Sequence, residues 1–124
     1  MAILLEVEEP VPPTPPPPQW RAFLELGFRP LYLAGCLWAA ISVLLWVYAP
    51  RALTGPLGGV AWHAHEMLWG FIATIAVGFL LTAGANWTGI NPLHGKALGT
   101  LTVLWLLARI GYLVPDTAGF WLAA

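Results

Sequence analysis

The stretch that decides the fold is LYLAGCLWAAISVLLWVY, residues 31–48, which carries no charged side chain in 18 positions. A helix needs about 20 apolar residues to cross the hydrocarbon core of a bilayer. Two further apolar stretches, at about residues 60–83 and 97–114, have a similar length, and another begins at residues 117–124. We therefore predict an all-α, polytopic transmembrane helix bundle with three full spans and the start of a fourth, as a fragment of a larger protein.

The composition of the whole chain agrees with this prediction. Of its 124 residues, 59% are hydrophobic and only 9% are charged, whereas a soluble domain carries about 25% charged residues. With 5 Lys and Arg and a net charge of -1, the chain cannot neutralise a run of phosphates, which excludes nucleic acid as a partner. The expected partners are instead the lipid bilayer and further transmembrane helices, of the same or another chain.

The chain in front of the first span has a different composition. Residues 10–18, PVPPTPPPP, are mostly proline, which removes backbone donors and keeps the chain extended. We predict a disordered, proline-rich tail over residues 1–19 and a juxtamembrane segment over residues 20–30. The juxtamembrane segment is expected to form a short interfacial helix, which ends at Gly27 and Pro30. The transmembrane region then comprises residues 31–124.

The few basic residues predict an orientation. Arg21 and Arg29 precede the first span and Lys96 lies between the second and third, whereas Arg51 alone lies on the opposite side. Short loops rich in Lys and Arg remain in the cytoplasm. We therefore predict a cytoplasmic N-terminus, which places the start of the second span at the outer face of the membrane.

The second span opens with AWHAHEMLWGF, residues 61–71, which places His63, His65 and Glu66 within four positions. Inserting a charged side chain into a membrane span costs about 2.5 to 3.5 kcal/mol on insertion scales. Each ionisable group there therefore needs a binding partner or has a function. Imidazole and carboxylate groups bind metals in helical bundles, which makes these three residues candidate metal ligands. The alternative is that they lie near the headgroups and are simply solvated.

The spacing of the two histidines restricts how they can act together. On a regular helix His65 is turned about 200° from His63, so both cannot face one helical seam. Either helix regularity begins only after His63, or the two side chains serve different neighbours.

Arg109 is the other ionisable residue inside a predicted span. It lies five residues before the end of the third span, and Glu66 lies six residues after the start of the antiparallel second span. At 1.5 Å per residue, both are about 8 to 9 Å inside the same face. This shared depth predicts that Arg109 pairs either with Glu66 or with an anionic ligand bound near the histidines. The alternative is an arginine that reaches the interface on its long stem.

Small residues recur along the second span. Gly70, Gly78 and Gly84, with Ala73 and Ala76, are spaced so that they form a face of small side chains. Such faces let helix backbones approach closely in membranes. We predict that another helix packs against this face.

Three runs of the sequence carry a family resemblance: LGFRPLYLAG at 26–35, AWHAHEMLWGF at 61–71 and GFLLTAGANWTG at 78–89. Together they resemble the N-terminal part of the NnrS family. These are polytopic bacterial inner-membrane proteins of about twelve spans that contain haem and copper and are associated with nitric oxide and nitrosative stress. Trp69, and AGANWTG without a proline before its Asn, depart mildly from the family pattern.

The resemblance implies a haem- and copper-binding inner-membrane protein, with nitric oxide as a partner and a role in its metabolism, in denitrification or in nitrosative-stress resistance. It matches His63 and His65 to the family's cofactor-binding histidines, with Glu66 beside them. Arg109 is predicted as a further cofactor contact from its depth in the third span. The resemblance leaves open which histidine faces haem and which copper, and whether the protein reduces nitric oxide or serves metal storage, assembly or sensing. The alternatives are a transporter or proton-conducting segment without haem, and a structural membrane subunit.

Overall fold

The computed structural model describes residues 20–53 and 57–113, and every regular element in these ranges is helical. The elements are α1 (Trp20–Phe23), α2 (Phe28–Tyr48), a 3-10 turn (Pro50–Ala52), α3 (Gly58–His65), a π-helical segment (Glu66–Ile72), α4 (Ala73–Thr88) and α5 (Gly95–Gly111). The π segment joins α3 to α4 without a break, so Gly58–Thr88 forms one helix of 31 residues. We call it the long helix. The predicted all-α class is confirmed.

Two of the described helices are long and apolar enough to cross a membrane. They are α2, with 21 residues, and the long helix, and both have a mean hydropathy of 1.9. Helix α5 has 17 residues between Gly95 and Gly111 and covers most of the predicted third span, which stays a prediction. The predicted tail at 1–19 and the predicted fourth span at 117–124 lie outside the described residues.

The outside of these helices is apolar. Large hydrophobic side chains are exposed along all three long elements, among them Leu33, Leu37, Leu44, Leu80, Leu104 and Leu107. Soluble proteins rarely expose contiguous apolar surface on this scale. The exposed side chains therefore suit contact with lipid or with further helices.

The start of α2 differs from the prediction in its position and in the role of Pro30. Helix α1 ends at Phe23, and α2 begins at Phe28, so Pro30 is the third residue of α2 and does not end a helix. Proline is tolerated in a first turn because the N–H that it lacks would have no helical partner there. The backbone N–H of Phe28 donates to Thr82 Oγ1 at 3.0 Å, which ties this end of α2 to α4.

Helix α2 packs against the long helix through small residues. A Cβ at Gly78 would lie 3.1 Å from Tyr32 Cδ1 and 3.2 Å from Leu31 Cβ, so any larger residue would require these side chains to shift by a few tenths of an ångström. The predicted small-residue face is therefore confirmed at Gly78. At Gly84 an added Cβ would meet no atom of residues 20–53 and 57–113 within 4 Å, so none of the described helices packs closely there.

The start of α5 lies beside the turn between α1 and α2. The N–H of Gly95 donates to the carbonyl oxygen of Leu24 at 2.7 Å, and Asn91 Nδ2 donates to the carbonyl oxygen of Glu25 at 2.6 Å. Leu98, in the second turn of α5, is fully buried. Since α5 starts at this end of the molecule and runs antiparallel to the long helix, its last turn comes beside the start of that helix.

Candidate functional site

Glu66 lies at the centre of a buried polar cluster, where α3 passes into the π segment. None of its surface is exposed. Its Oε2 accepts hydrogen bonds from Trp38 Nε1 at 2.6 Å and from Arg109 NH1 at 3.2 Å, and Arg109 NH1 is also 3.4 Å from Oε1. His65 Nδ1 lies 3.0 Å from Oε1. We call these four residues, Trp38, His65, Glu66 and Arg109, the Glu66 cluster.

The predicted contact between Glu66 and Arg109 is present. It joins the first residues of the π segment to the last turn of α5, as the depth of the two residues predicts. Arg109 is only 8% exposed, so the alternative in which its head reaches the interface is wrong. The guanidinium also lies over the ring of Tyr112, 5.3 Å from its centroid. The two opposite charges therefore neutralise each other inside the protein.

His65 is held by two neighbours. Its ring lies against Tyr112, with the centroids 4.5 Å apart, and its Nδ1 faces the Glu66 carboxylate. When Nδ1 carries the proton and donates it to the carboxylate, Nε2 keeps the lone pair. Carboxylates orient metal-binding imidazoles in this way in many proteins. The ring of His65 is therefore held between the Glu66 carboxylate and the ring of Tyr112.

His63 serves a different neighbour. Its ring stacks on Trp46 of α2, with centroids 4.4 Å apart and an angle of 11° between the planes. Both histidines lie within the regular helix α3, so of the two predicted alternatives the one with separate neighbours is correct. Across residues 20–53 and 57–113, no group of three His, Cys, Asp or Glu side chains gathers into a metal site. The assignment of His63, His65 and Glu66 as ligands stays a prediction.

The π segment explains how the long helix keeps one face buried. Four buried residues of the long helix follow each other at intervals of four: Trp62, Glu66, Gly70 and Thr74. In a regular α-helix, a step of four residues turns about 40° beyond a full turn. After three such steps Thr74 would therefore point away from the side of the helix on which Trp62 lies. A π-helix has more residues per turn than an α-helix. The π segment Glu66–Ile72 therefore reduces the rotation per residue and keeps the four buried residues on one side of the long helix. Glu66 and Gly70 therefore both face Trp38 of α2.

Sequence reasoning missed Trp38 and the role of Gly70 in this cluster. A Cβ at Gly70 would lie 2.8 Å from Glu66 Oε2 and 2.8 Å from Trp38 Cδ1, so glycine leaves the space in which the two side chains meet. A signal for Trp38 existed, because a tryptophan in the middle of an apolar span needs an acceptor for its N–H. Nothing in the sequence pattern marks the π segment.

A cavity of about 460 Å³ adjoins the cluster between the long helix and α5. His65, Arg109 and Tyr112 line one part of it, and the rest is mostly apolar or aromatic, with Trp69 and Trp105 among the walls. The tryptophans Trp38 and Trp105 meet edge to face, 6.4 Å apart. The cavity and the Glu66 cluster therefore share Arg109 and His65.

These features define a protein whose described elements are all helical, with two candidate membrane helices and a buried ion pair that contacts an imidazole. A family model described as NnrS protein matches residues 22–124, and the chain belongs to the NnrS family. The resemblance drawn from the sequence is thereby confirmed. No curated protein and no solved structure matches the chain.

Proposed function

We propose that the chain is part of a haem- and copper-binding protein of the bacterial inner membrane that acts in nitric oxide metabolism or nitrosative-stress resistance. Family membership supports this function broadly. The observation that carries the proposal to particular residues is the contact between His65 Nδ1 and the buried Glu66 carboxylate. Two apolar helices of sufficient length and the apolar outer surface support the membrane location.

The residues of the Glu66 cluster suit a cofactor ligand at His65. Glu66 orients the imidazole, and Arg109 and Trp38 hold Glu66 in turn. Arg109 is the third residue predicted to touch the cofactor. Because its NH1 is engaged by Glu66, we propose that it acts on the cofactor through Glu66 and His65. A bound haem would supply an iron to which nitric oxide can bind.

His63 is the second proposed ligand. Its ring lies on Trp46 and its Nδ1 is a buried atom that finds no hydrogen-bond partner among the described residues. Because His63 and His65 have different neighbours, we propose that they serve two different metal centres. Three or more ligands are usual for a bound copper ion, so helices elsewhere in the full bundle would complete that centre.

Replacing His65 with Ala is expected to lower the haem content per protein by about tenfold or more, because an oriented imidazole is lost together with its hydrogen bond to Glu66. His63→Ala and the double variant complete the series. The measurement is the Soret absorbance per protein in purified membranes, with copper content determined on the same samples.

His94→Ala is the matched control, because His94 is exposed in front of α5. Its haem and copper contents are expected to equal those of the parent. If neither single change nor the double change lowers haem, these histidines are not haem ligands. A parent protein without any Soret absorbance would favour a transporter segment instead.

Single cysteines at Thr14 and Thr54, in a Cys36→Ser background, test the proposed cytoplasmic N-terminus. The contact of Gly95 with Leu24 brings Lys96 to the same end of the molecule as Arg29, whereas Arg51 lies beyond the other end of α2. We expect a membrane-impermeant thiol reagent on intact cells to label Thr54→Cys and not Thr14→Cys. Cys36 must be removed because it is exposed. Labelling at Thr14→Cys alone would invert the topology.

A further inference from the structure

The two oxygens of the Glu66 carboxylate serve different neighbours. Oε1 faces His65 Nδ1 at 3.0 Å, whereas Oε2 accepts the hydrogen bond from Trp38 Nε1 at 2.6 Å. Arg109 NH1 lies closer to Oε2, at 3.2 Å, than to Oε1, at 3.4 Å. Because Glu66 is completely buried, bulk water does not compete with these donors. The negative charge of the carboxylate is therefore divided mainly among the three.

The contact with Oε1 determines which nitrogen of His65 can bind a metal. An ionised carboxylate can only accept hydrogen bonds, and the guanidinium of Arg109 supplies its counter-charge. The contact at 3.0 Å therefore requires the proton of the ring to be on Nδ1. Nε2 then carries the lone pair, and the side chain of His65 is 22% exposed, so this nitrogen can bind a metal that reaches it.

Glu66 acts on that lone pair through the proton on Nδ1. The more strongly a carboxylate attracts the proton on one ring nitrogen, the more electron density the other nitrogen can give to a metal. A hydrogen bond to an ionised acceptor is about twice as strong as one between neutral groups, so the short bond from Trp38 takes a sizeable share of the negative charge. The attraction of Glu66 for the proton of His65 is weaker as a result.

Trp38 is held where it can make this bond. Its side chain is only 6% exposed and packs in one core cluster with Trp62 and Tyr112. A Cβ at Gly70 would lie 2.8 Å from Trp38 Cδ1 and 3.0 Å from its Nε1, so glycine leaves the space that the indole needs to reach Glu66. A phenylalanine would fill most of the same space without donating a hydrogen bond.

From the division of the carboxylate and the held position of the indole, we infer that Trp38 is a positioning residue that sets, through Glu66, how strongly His65 Nε2 donates to a metal. The inference rests on the proposed function for the metal and goes beyond it by assigning Trp38 a redox role. Hydrogen bonds around an axial ligand adjust the reduction potential of haem iron. A weaker donor at Nε2 favours the reduced state, because less electron density reaches the iron.

The first test measures the hydrogen bond of His65 and does not depend on haem. The full chain, with isotope-labelled histidine, is studied by NMR in detergent, reduced and under carbon monoxide so that any haem iron is diamagnetic. The proton resonance of His65 Nδ1 is identified by its loss in His65→Ala. Trp38→Phe is expected to move this resonance downfield, because a carboxylate with one donor fewer attracts the proton more strongly.

Trp62→Phe is the matched control for the first test. Trp62 is buried in the same core cluster as Trp38, and its Nε1 makes no hydrogen bond with the described residues. The change from indole to phenyl is therefore the same, but no bond to Glu66 is lost. The resonance of His65 is expected to stay in place.

The second test measures the redox consequence in samples of equal haem content. At a fixed solution potential, Trp38→Phe is expected to lower the ratio of reduced to oxidised haem about threefold. Fluorotryptophan at position 38 has nearly the size of tryptophan and a more acidic N–H, so it is expected to raise the ratio and to move the His65 resonance upfield. This variant keeps both tests available if Trp38→Phe fails to fold.

The two measurements separate this inference from the proposed function. An unchanged His65 resonance in both Trp38 variants, or an equal shift in Trp62→Phe, would overturn the inference whether or not haem is present. Shifted resonances in a protein without Soret absorbance would support the action of Trp38 on His65 and count against the proposed function. Shifted resonances with one constant ratio of reduced to oxidised haem would overturn the redox role of Trp38, although haem binding would stand.

Discussion

Replacing Arg109 with Gln is expected to lower the free energy of unfolding by about 3 to 5 kcal/mol, because it leaves the Glu66 carboxylate buried without its cationic partner. Glu66 has no exposed surface, and Arg109 NH1 lies 3.2 Å from its Oε2. The remaining donors, Trp38 Nε1 and His65, stabilise the carboxylate but do not bring a permanent positive charge. The measurement is reversible unfolding from mild detergent into a denaturing one.

The coupling of the two residues is tested by a double-mutant cycle with Glu66→Gln. Glu66→Gln alone keeps an oxygen acceptor for Trp38 and leaves the Arg109 guanidinium buried without its counter-ion. The double variant contains neither charge, so its loss of stability is expected to be smaller than the sum of the two single losses. Strictly additive losses would mean that the two charges do not stabilise each other.

Lys96→Gln is the control for the loss of a positive charge from α5. Lys96 lies in the first turn of α5, at the opposite end from Arg109, and is exposed. Exposed substitutions of this kind usually change stability by less than about 0.5 kcal/mol. A loss at Lys96→Gln as large as that at Arg109→Gln would show that the general charge of α5, and not the buried pair, sets the stability.

The second large effect is expected for Gly70→Ala, which should lower the free energy of unfolding by about 2 to 4 kcal/mol. The new methyl group would lie 2.8 Å from Glu66 Oε2 and 3.0 Å from Trp38 Nε1, the two atoms whose hydrogen bond joins α2 to the long helix. Either the helices move apart or this bond is lost. Unfolding in detergent, together with haem content, measures both consequences.

Gly84→Ala is the matched control because it makes the same change on the same helix. Among the described residues, an added Cβ at Gly84 would meet nothing within 4 Å, so the helix should gain up to about 1 kcal/mol from the higher helix propensity of alanine. In a Trp38→Phe background, Gly70→Ala should cost less, since the indole N–H is already gone. Equal effects of Gly70→Ala and Gly84→Ala would contradict the close contact at Gly70.

The depth of Glu66 and Arg109 was accessible to sequence reasoning because it depends on few assumptions. Once two stretches are helical, consecutive and antiparallel, the rise of 1.5 Å per residue sets how far each residue lies from a shared end. The shared depth then predicts an ion pair between Glu66 and Arg109, because a single charge inside an apolar bundle is unstable. The histidines and Glu66 stand out as candidate site residues for the same reason.

Composition and periodicity also account for the helical class and for the two long apolar helices, since backbone groups in an apolar surrounding must bond within their own segment. They do not account for the π segment, for the hydrogen bond from Trp38 to Glu66, or for the different surroundings of Gly70 and Gly84. Those features depend on which atoms of α2 face the long helix, 28 residues away in sequence for Trp38 and Glu66. The local residue types determine which secondary structure each segment can form. Contacts between distant segments determine which hydrogen bonds join the helices, because close packing allows only one arrangement of the side chains.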